Sequence, residues 1–108
     1  MNTRVLMGAA ALSAAMTSSA WAMPPEQLAQ ESGCLTCHSI QEKVVGPAYK
    51  SVAEKYKGQP DAVSELAQSV RNGSKGKWGR IPMPPHPSMA EEDIRTLVKW
   101  VLSQSPAK

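Results

Sequence analysis

The chain has no phenylalanine, no dense stripe of basic residues and no internal repeat or low-complexity segment among its 108 residues. Without a basic stripe, the surface expected of a nucleic-acid-binding protein is missing. The main apolar run, residues 5–16, is shorter than the about 20 residues that a membrane-spanning helix needs. These absences leave a single small domain with little aromatic bulk.

The first 22 residues have the layout of a secretory signal peptide. Arg4 provides a positive charge, an apolar run follows, and Ala20-Trp21-Ala22 is a small-x-small cleavage site. We therefore expect cleavage after Ala22, with residues 23–108 forming the mature domain. An uncleaved anchor lying in the membrane interface is the alternative.

The mature domain is poor in large apolar side chains. Its large aromatic residues are limited to Tyr49, Tyr56, Trp78 and Trp100. A domain of this size is marginally stable unless something reinforces its core. The composition therefore favours a protein built around a buried cofactor.

The most informative motif is Cys34-Leu35-Thr36-Cys37-His38. Two thiols three positions apart, followed directly by an imidazole, have the spacing needed for covalent attachment of a c-type haem. Side chains three apart on a helical turn lie on the same side, so both thiols can reach one edge of a porphyrin. The imidazole of His38 can then bind the iron.

Other interpretations of this motif remain open. A dithiol redox pair usually lies in a βαβ unit, and the sequence shows no strands. The two cysteines could form half of a zinc site, although His38 directly follows Cys37 and is poorly placed to share a tetrahedral metal with it. A plain disulfide in an exported protein is the third alternative.

Hydrophobic spacing predicts four short helices. The first covers residues 26–32 and ends at Gly33, the second covers residues 48–57, and the third starts near Pro60 and ends at residues 72–73. The fourth follows a capping-box pattern at residues 88–91 and ends before Pro106. Residues 74–87 contain four prolines and are predicted to form a stiff functional loop. The fold class is all-α, with four short helices around one covalently bound haem.

A second protein ligand for the iron is expected from the proline-rich loop. Met83 lies between Pro82 and Pro84, which lower the entropic cost of holding a weakly binding thioether in place. His86 is the main competing ligand. Filling a gap in the core is the structural alternative for Met83.

Several segments together resemble the small class I bacterial cytochromes c of the cytochrome c-551 type. These segments are GCLTCH (33–38), VGPAYK (45–50), NGS (72–74), WG (78–79), IPMPP (81–85) and KWVLS (99–103). The resemblance covers essentially all of residues 23–108. It implies the cytochrome c fold and one haem c bound through Cys34 and Cys37, with His38 and Met83 as axial ligands.

The resemblance also implies two supporting contacts and shows two departures. The Pro47 carbonyl is expected to accept the Nδ1 proton of His38, and the Trp78 indole N–H is expected to point to a haem propionate. Core packing is the alternative role for Trp78. His86 stands where the family commonly has asparagine directed at the methionine sulfur, and Ser69 stands where it often has arginine or histidine near the inner propionate.

The expected function is that of a periplasmic one-electron carrier rather than an enzyme, because both axial positions would be filled by protein. Met/His ligation raises the reduction potential, which suits delivery to a respiratory terminal reductase. The resemblance implies redox partners such as a cytochrome cd-type nitrite reductase, a haem peroxidase or a blue copper protein. We expect a monomer that neither binds nucleic acid nor inserts into a membrane.

Two further questions stay open at this point. Four lysines, which are Lys43, Lys50, Lys75 and Lys77, could form the rim of a docking surface or could be ordinary solvated side chains. The competing functions are a haem enzyme or gas sensor with an open sixth position, and an exported copper or zinc protein without haem.

Overall fold

The computed structural model describes residues 7–16 and 23–105. Residues 7–16 are exposed and have no regular secondary structure, and the predicted cleavage site at residues 20–22 lies outside the described residues. Within the described ranges, no helix is long and apolar enough to cross a membrane. The division of the chain after residue 22 therefore stays a prediction.

Four α-helices make up most of the regular structure of the described residues. They are α1 (Pro25–Glu31), α2 (Tyr49–Lys55), α3 (Ala62–Asn72) and α4 (Glu91–Leu102), and a 3₁₀ turn spans Cys34–Thr36. In residues 7–16 and 23–105 there is no strand, and one isolated antiparallel bridge joins Ser74 and Met83. The predicted all-α class with four short helices is confirmed.

The start and end of α1 follow from its sequence. Pro25 occupies the first turn, where the missing N–H breaks no intrahelical bond, and Glu26 places negative charge at the positive end of the helix. After the helix, Gly33 has φ +78°, a left-handed conformation that glycine adopts without steric cost. This residue turns the chain into the 3₁₀ segment that carries the two cysteines.

The second helix is shorter than the predicted range of residues 48–57. The chain leaves the helix after Lys55, and turn hydrogen bonds follow, including one of 3.0 Å from Gln59 N to Tyr56 O. Gly58 takes φ +76° in this turn. The helix nevertheless buries the face predicted from its apolar spacing, including Tyr49 and Val52.

The last helix forms the central wall of the domain, since α1, α2 and α3 all pack against it. Its Ile94, Leu97 and Val98 are almost completely buried. Ile94 and Val98 form one apolar cluster with Ala67 of α3, and Met89 packs against the edge of this cluster. The apolar spacing of α3 and α4 correctly predicted which face of each helix is buried.

The predicted capping box before α4 is wrong. The helix begins at Glu91, its N-cap residue is Ala90, and no side chain caps the first turn. Instead, Glu91 Oε2 lies 2.6 Å from Nη2 of Arg71 on α3. The hydrogen bond from Arg71 lowers the pKa of Glu91. An ion pair between helices therefore stands at the position where a local cap was expected.

The loop after α3 is closed by backbone hydrogen bonds. Ser74 N donates to Met83 O at 3.1 Å, and Met83 N donates to Ser74 O at 2.8 Å. Gly73 allows this pairing because a Cβ at its position would lie 2.7 Å from the Met83 carbonyl oxygen. His86 N donates to Val70 O at 2.9 Å and ties the far end of the loop to α3.

The burial of Ile94 yields a direct test of the core. Ile94→Ala should lower the free energy of unfolding by about 2–5 kcal/mol, because it removes methyl groups from a fully buried site. Met23→Ala is the control, since Met23 is 40% exposed and does not line the cavity between the helices, so its truncation should change stability by about 0.5 kcal/mol or less. Denaturant unfolding measures both, and equal effects would contradict the assignment of α4 to the core.

Candidate haem site

The 3₁₀ turn places the two cysteines side by side. Cys37 N and His38 N both donate to Cys34 O, at 3.2 and 3.0 Å. Both thiols are free, partly exposed and part of the lining of the same cavity. The turn therefore presents two sulfur atoms and the following imidazole to one enclosed space, as the spacing of the motif predicted.

The imidazole of His38 is oriented by its surroundings. Its Nδ1 lies 2.8 Å from the carbonyl oxygen of Pro47. Because that oxygen can only accept, Nδ1 carries the hydrogen and Nε2 keeps the lone pair that a metal ligand needs. The ring also stacks on Tyr49, with centroids 4.9 Å apart and an interplanar angle of 22°.

Gly46 makes room for this ring. A Cβ at Gly46 would lie 2.5 Å from Cε1 and 2.9 Å from Nδ1 of His38. The loop carrying Gly46 is itself fixed by the motif, because Gly46 N donates to Cys37 O at 2.7 Å. Gly46 was expected only as part of the family-like segment 45–50, because the close approach of its backbone to the ring depends on the fold.

A cavity of about 590 Å³ lies between α2, α4 and the loops. This volume is in the range of about 300–1,000 Å³ that cofactor pockets occupy. Val52 of α2 and Leu97 and Val98 of α4 form an apolar wall. All six predicted site residues line this one cavity, and they are Cys34, Cys37, His38, Pro47, Trp78 and Met83.

The cavity distinguishes among the methionine and histidine side chains that could act as a second axial ligand. Met83 and His86 line the cavity, whereas Met89 packs against the Ile94 cluster and Met23 is 40% exposed at the start of α1. The paired hydrogen bonds with Ser74 fix the backbone of Met83. The buried Nδ1 of His86 has no hydrogen-bond partner among the described residues, so His86 remains the competitor to test.

Trp78 lies at the part of the cavity bounded by the end of α2. Its ring packs against the apolar cluster of Val52, Tyr56 and Ala62, and Lys55 Nζ lies 4.6 Å from the ring centroid. Because Trp78 also lines the cavity, the structure is compatible with both predicted roles, core packing and a contact with the cofactor. The cation–π contact with Lys55 was not anticipated from the sequence.

Burial changes the titration of two groups beside the motif. Burial raises the pKa of the Cys34 thiol, and the hydroxyl of Tyr49 partly offsets this by a hydrogen bond. Burial and the neighbouring Cys34 raise the pKa of Tyr49. The raised pKa of Cys34 belongs to the free thiol, before the thioether forms. Tyr49, which was predicted only to lie in the second helix, is therefore a residue of the site.

Comparison with known proteins agrees with this geometry. The cytochrome c family model matches residues 23–105. The chain is 48% identical to cytochrome c-551 of Pseudomonas aeruginosa over 104 residues, covering 96% of this chain and 99% of the relative. The chain belongs to the cytochrome c family.

Two further relatives support this assignment. Cytochrome c-551 of Allochromatium vinosum is 47% identical over 88 residues, which cover 82% of this chain and 94% of the relative. The crystal structure of Nitrosomonas europaea cytochrome c552 superimposes with a TM-score of 0.72 at 41% identity, covering 74% of this chain and 99% of that one. The predicted cytochrome c fold is therefore confirmed.

As a cytochrome c, the protein carries one haem c bound covalently through Cys34 and Cys37. The cavity fits this group, because it combines two adjacent thiols, an imidazole with a free Nε2 and apolar walls. The dithiol, disulfide and zinc interpretations of the motif are replaced by thioether attachment. In the described residues, no group of three or more His, Cys, Asp and Glu side chains forms a metal site.

The close packing of Gly46 predicts the effect of a single methyl group. Gly46→Ala should displace the His38 ring, lower stability by about 1–3 kcal/mol through overpacking and alter the visible spectrum of the ferric protein. Gly58→Ala is the control, because φ is +76° there, nothing lies within 4 Å of the added carbon, and Gly58 does not line the haem cavity. It should cost stability without changing the spectrum, and equal spectra for the two variants would contradict the role assigned to Gly46.

Proposed function

We propose that this cytochrome c is a periplasmic one-electron carrier whose iron is bound axially by His38 and Met83. The observation that carries the proposal is that one cavity brings together Cys34, Cys37, His38 and Met83. Haem c supplies a one-electron Fe(III)/Fe(II) couple when bound, and methionine–histidine ligation raises its potential.

The protein's own residues would keep this site dedicated to electron transfer. The Pro47 carbonyl holds His38 in one tautomer and orientation. The two backbone hydrogen bonds with Ser74 hold Met83 in the loop after α3. With both axial positions taken by side chains, a substrate has no position at which to bind. We therefore propose that the protein is a carrier and not an enzyme.

Export to the periplasm is the second part of the proposal. It rests on the pattern of residues 1–22, with Arg4 before an apolar run and a small-x-small site at residues 20–22. In this family the thioethers to haem form after export, which is consistent with a periplasmic location. Cleavage after residue 22 would release the domain that the family model matches from residue 23.

The docking surface would lie at the exposed rim of the cavity. Val44 and Ile81 line the cavity and are 55% and 67% exposed, and Val45 beside them is also exposed. Lys43 lies next to this patch, whereas Lys77 bonds to Glu65 and Ser69 and is a weaker docking candidate. A small apolar patch suits the small interfaces of transient redox encounters.

We propose that the partners are respiratory redox proteins with an apolar patch around their own redox centre. A cytochrome cd-type nitrite reductase, a haem peroxidase and a blue copper protein are the candidates. The net charge is +3 for the whole chain and falls to +2 without Arg4. Two ionised propionates bring the holoprotein close to neutrality, so long-range steering should be weak and the docking rate only slightly dependent on salt.

The axial ligand set is tested by absorption spectroscopy of three holoprotein variants. Met83→Ala should keep its haem, lose the methionine–ferric charge-transfer band, bind added cyanide more tightly and have a lower potential. Met89→Ala should keep the band, because Met89 lies in the Ile94 cluster. Loss of the band in Met89→Ala would contradict the assignment of Met83. A spectrum typical of two histidine ligands, which disappears in His86→Asn, would also contradict it.

The docking surface is tested by the rate of electron exchange with a partner reductase. Val44→Glu should slow the bimolecular rate by about tenfold or more, because an unpaired carboxylate would have to lose water at the interface. Gln30→Glu adds the same charge on the exposed part of α1 and should leave the rate unchanged. Equal slowing by both variants would show that net charge, and not the patch, controls docking.

A further inference from the structure

One end of the haem cavity carries a polar cluster formed by Tyr56, Glu65, Ser69 and Lys77. Lys77 Nζ lies 3.2 Å from Ser69 Oγ and 3.4 Å from Glu65 Oε1. The Tyr56 hydroxyl donates to the same Glu65 oxygen at 3.2 Å. Tyr56, Ser69 and Lys77 line the cavity, whereas Glu65 is not part of the lining and stands behind them.

The position of this cluster can be measured along α2. Tyr49, at the start of the helix, stacks on His38 and adjoins Cys34. Tyr56 follows seven residues later, which is about 10 Å at the rise of an α-helix. Both tyrosines line the cavity. The polar cluster therefore lies at the end of the cavity far from the two cysteines.

This end is where a haem bound through Cys34 and Cys37 must place its acidic groups. The thioethers form at the vinyl groups, and the two propionates are on the opposite side of the porphyrin. Carboxylates that are partly withdrawn from water need hydrogen-bond donors or cations. Of the described residues, the basic ones that line the cavity are Lys43, Lys77 and Arg80, and Lys77 is the one held by two side chains of α3.

We propose that the Lys77 ammonium binds a haem propionate, with the Ser69 hydroxyl and the Glu65 carboxylate holding it in position. The hydroxyl of Ser69 is neutral, so the cation comes from Lys77 in the loop. The neighbouring Trp78 indole supplies a neutral donor on the same stretch of chain. The proposal rests on covalent haem attachment and is independent of the identity of the sixth ligand and of the partner.

The consequence is a defined link between pH and reduction potential. A cation beside a propionate keeps it ionised, so the propionate titrates at a lower pH than it would without Lys77. Other charged groups face the same region. Glu65 pairs with Lys77, Lys55 lies over Trp78, Arg80 lines the cavity, and Tyr56 is uncharged because burial raises its pKa.

The test is a titration of reduction potential against pH on the holoprotein. In wild type the potential should fall as the propionate loses its proton, because the added negative charge stabilises the ferric state. Lys77→Gln should move this step upward by about one pH unit, the lower end of the effect of a nearby opposite charge. Above the step, its potential should lie below that of wild type. Lys77→Arg should restore the wild-type curve.

Two controls separate this contact from other effects. Lys75→Gln removes the same charge from an exposed position in the same loop, and its curve should superimpose on that of wild type. Glu65→Gln removes the carboxylate that competes for Lys77 and leaves the ammonium to the propionate, so the step in potential should move to lower pH. The proposal would be overturned if the Lys77→Gln curve matched that of wild type or of Lys75→Gln. It would also be overturned if Lys77→Gln and Glu65→Gln shifted the step in the same direction.

Discussion

The filling of one apolar cavity by the covalently attached haem is the interaction on which the rest of this structure depends. The cavity measures about 590 Å³. Without the haem, the apolar side chains that line this space would be exposed to water, and the burial of apolar surface is the main favourable contribution to folding. The helices can keep this arrangement because the haem completes their core.

The side chains that form the core are consistent with this dependence. Of the eleven buried apolar residues in the described part of the chain, five are alanines, so the helices contribute little volume where they meet. Ile94 and Val98 are the largest side chains that are fully buried. The helices therefore pack closely around α4 on one side and leave their remaining apolar surface to the cofactor on the other. The attachment motif, the orienting Pro47 carbonyl and the bridged loop then fix the edges of that cofactor site.

Much of this arrangement follows from local sequence. The spacing of Cys34, Cys37 and His38 predicted the attachment site, because a single turn of chain determines where these side chains point. The apolar period of α3 and α4 predicted their buried faces for the same reason. The stiffness that Pro82 and Pro84 predict around Met83 stays a prediction, and the backbone hydrogen bonds between Ser74 and Met83 are consistent with it.

The features that sequence reasoning missed depend on residues that meet only in the fold. The capping-box pattern at residues 88–91 competed with an ion pair between Arg71 and Glu91, twenty positions apart, and the helix began at Glu91. The close contact of Gly46 with His38 and the pairing of Lys77 with Glu65 likewise join separate segments. Periodicity carries no information about such pairs, because it reports which face of an element is apolar and not what that face meets.

The most direct measurement is the thermal unfolding of the holoprotein and of the Cys34→Ala, Cys37→Ala double variant, followed by far- and near-ultraviolet circular dichroism. If the haem completes the core, the holoprotein should unfold in one cooperative transition, and the double variant should lack both that transition and the near-ultraviolet signal of fixed aromatic packing. A cooperative transition with native-like near-ultraviolet dichroism in the haem-free variant would contradict the account.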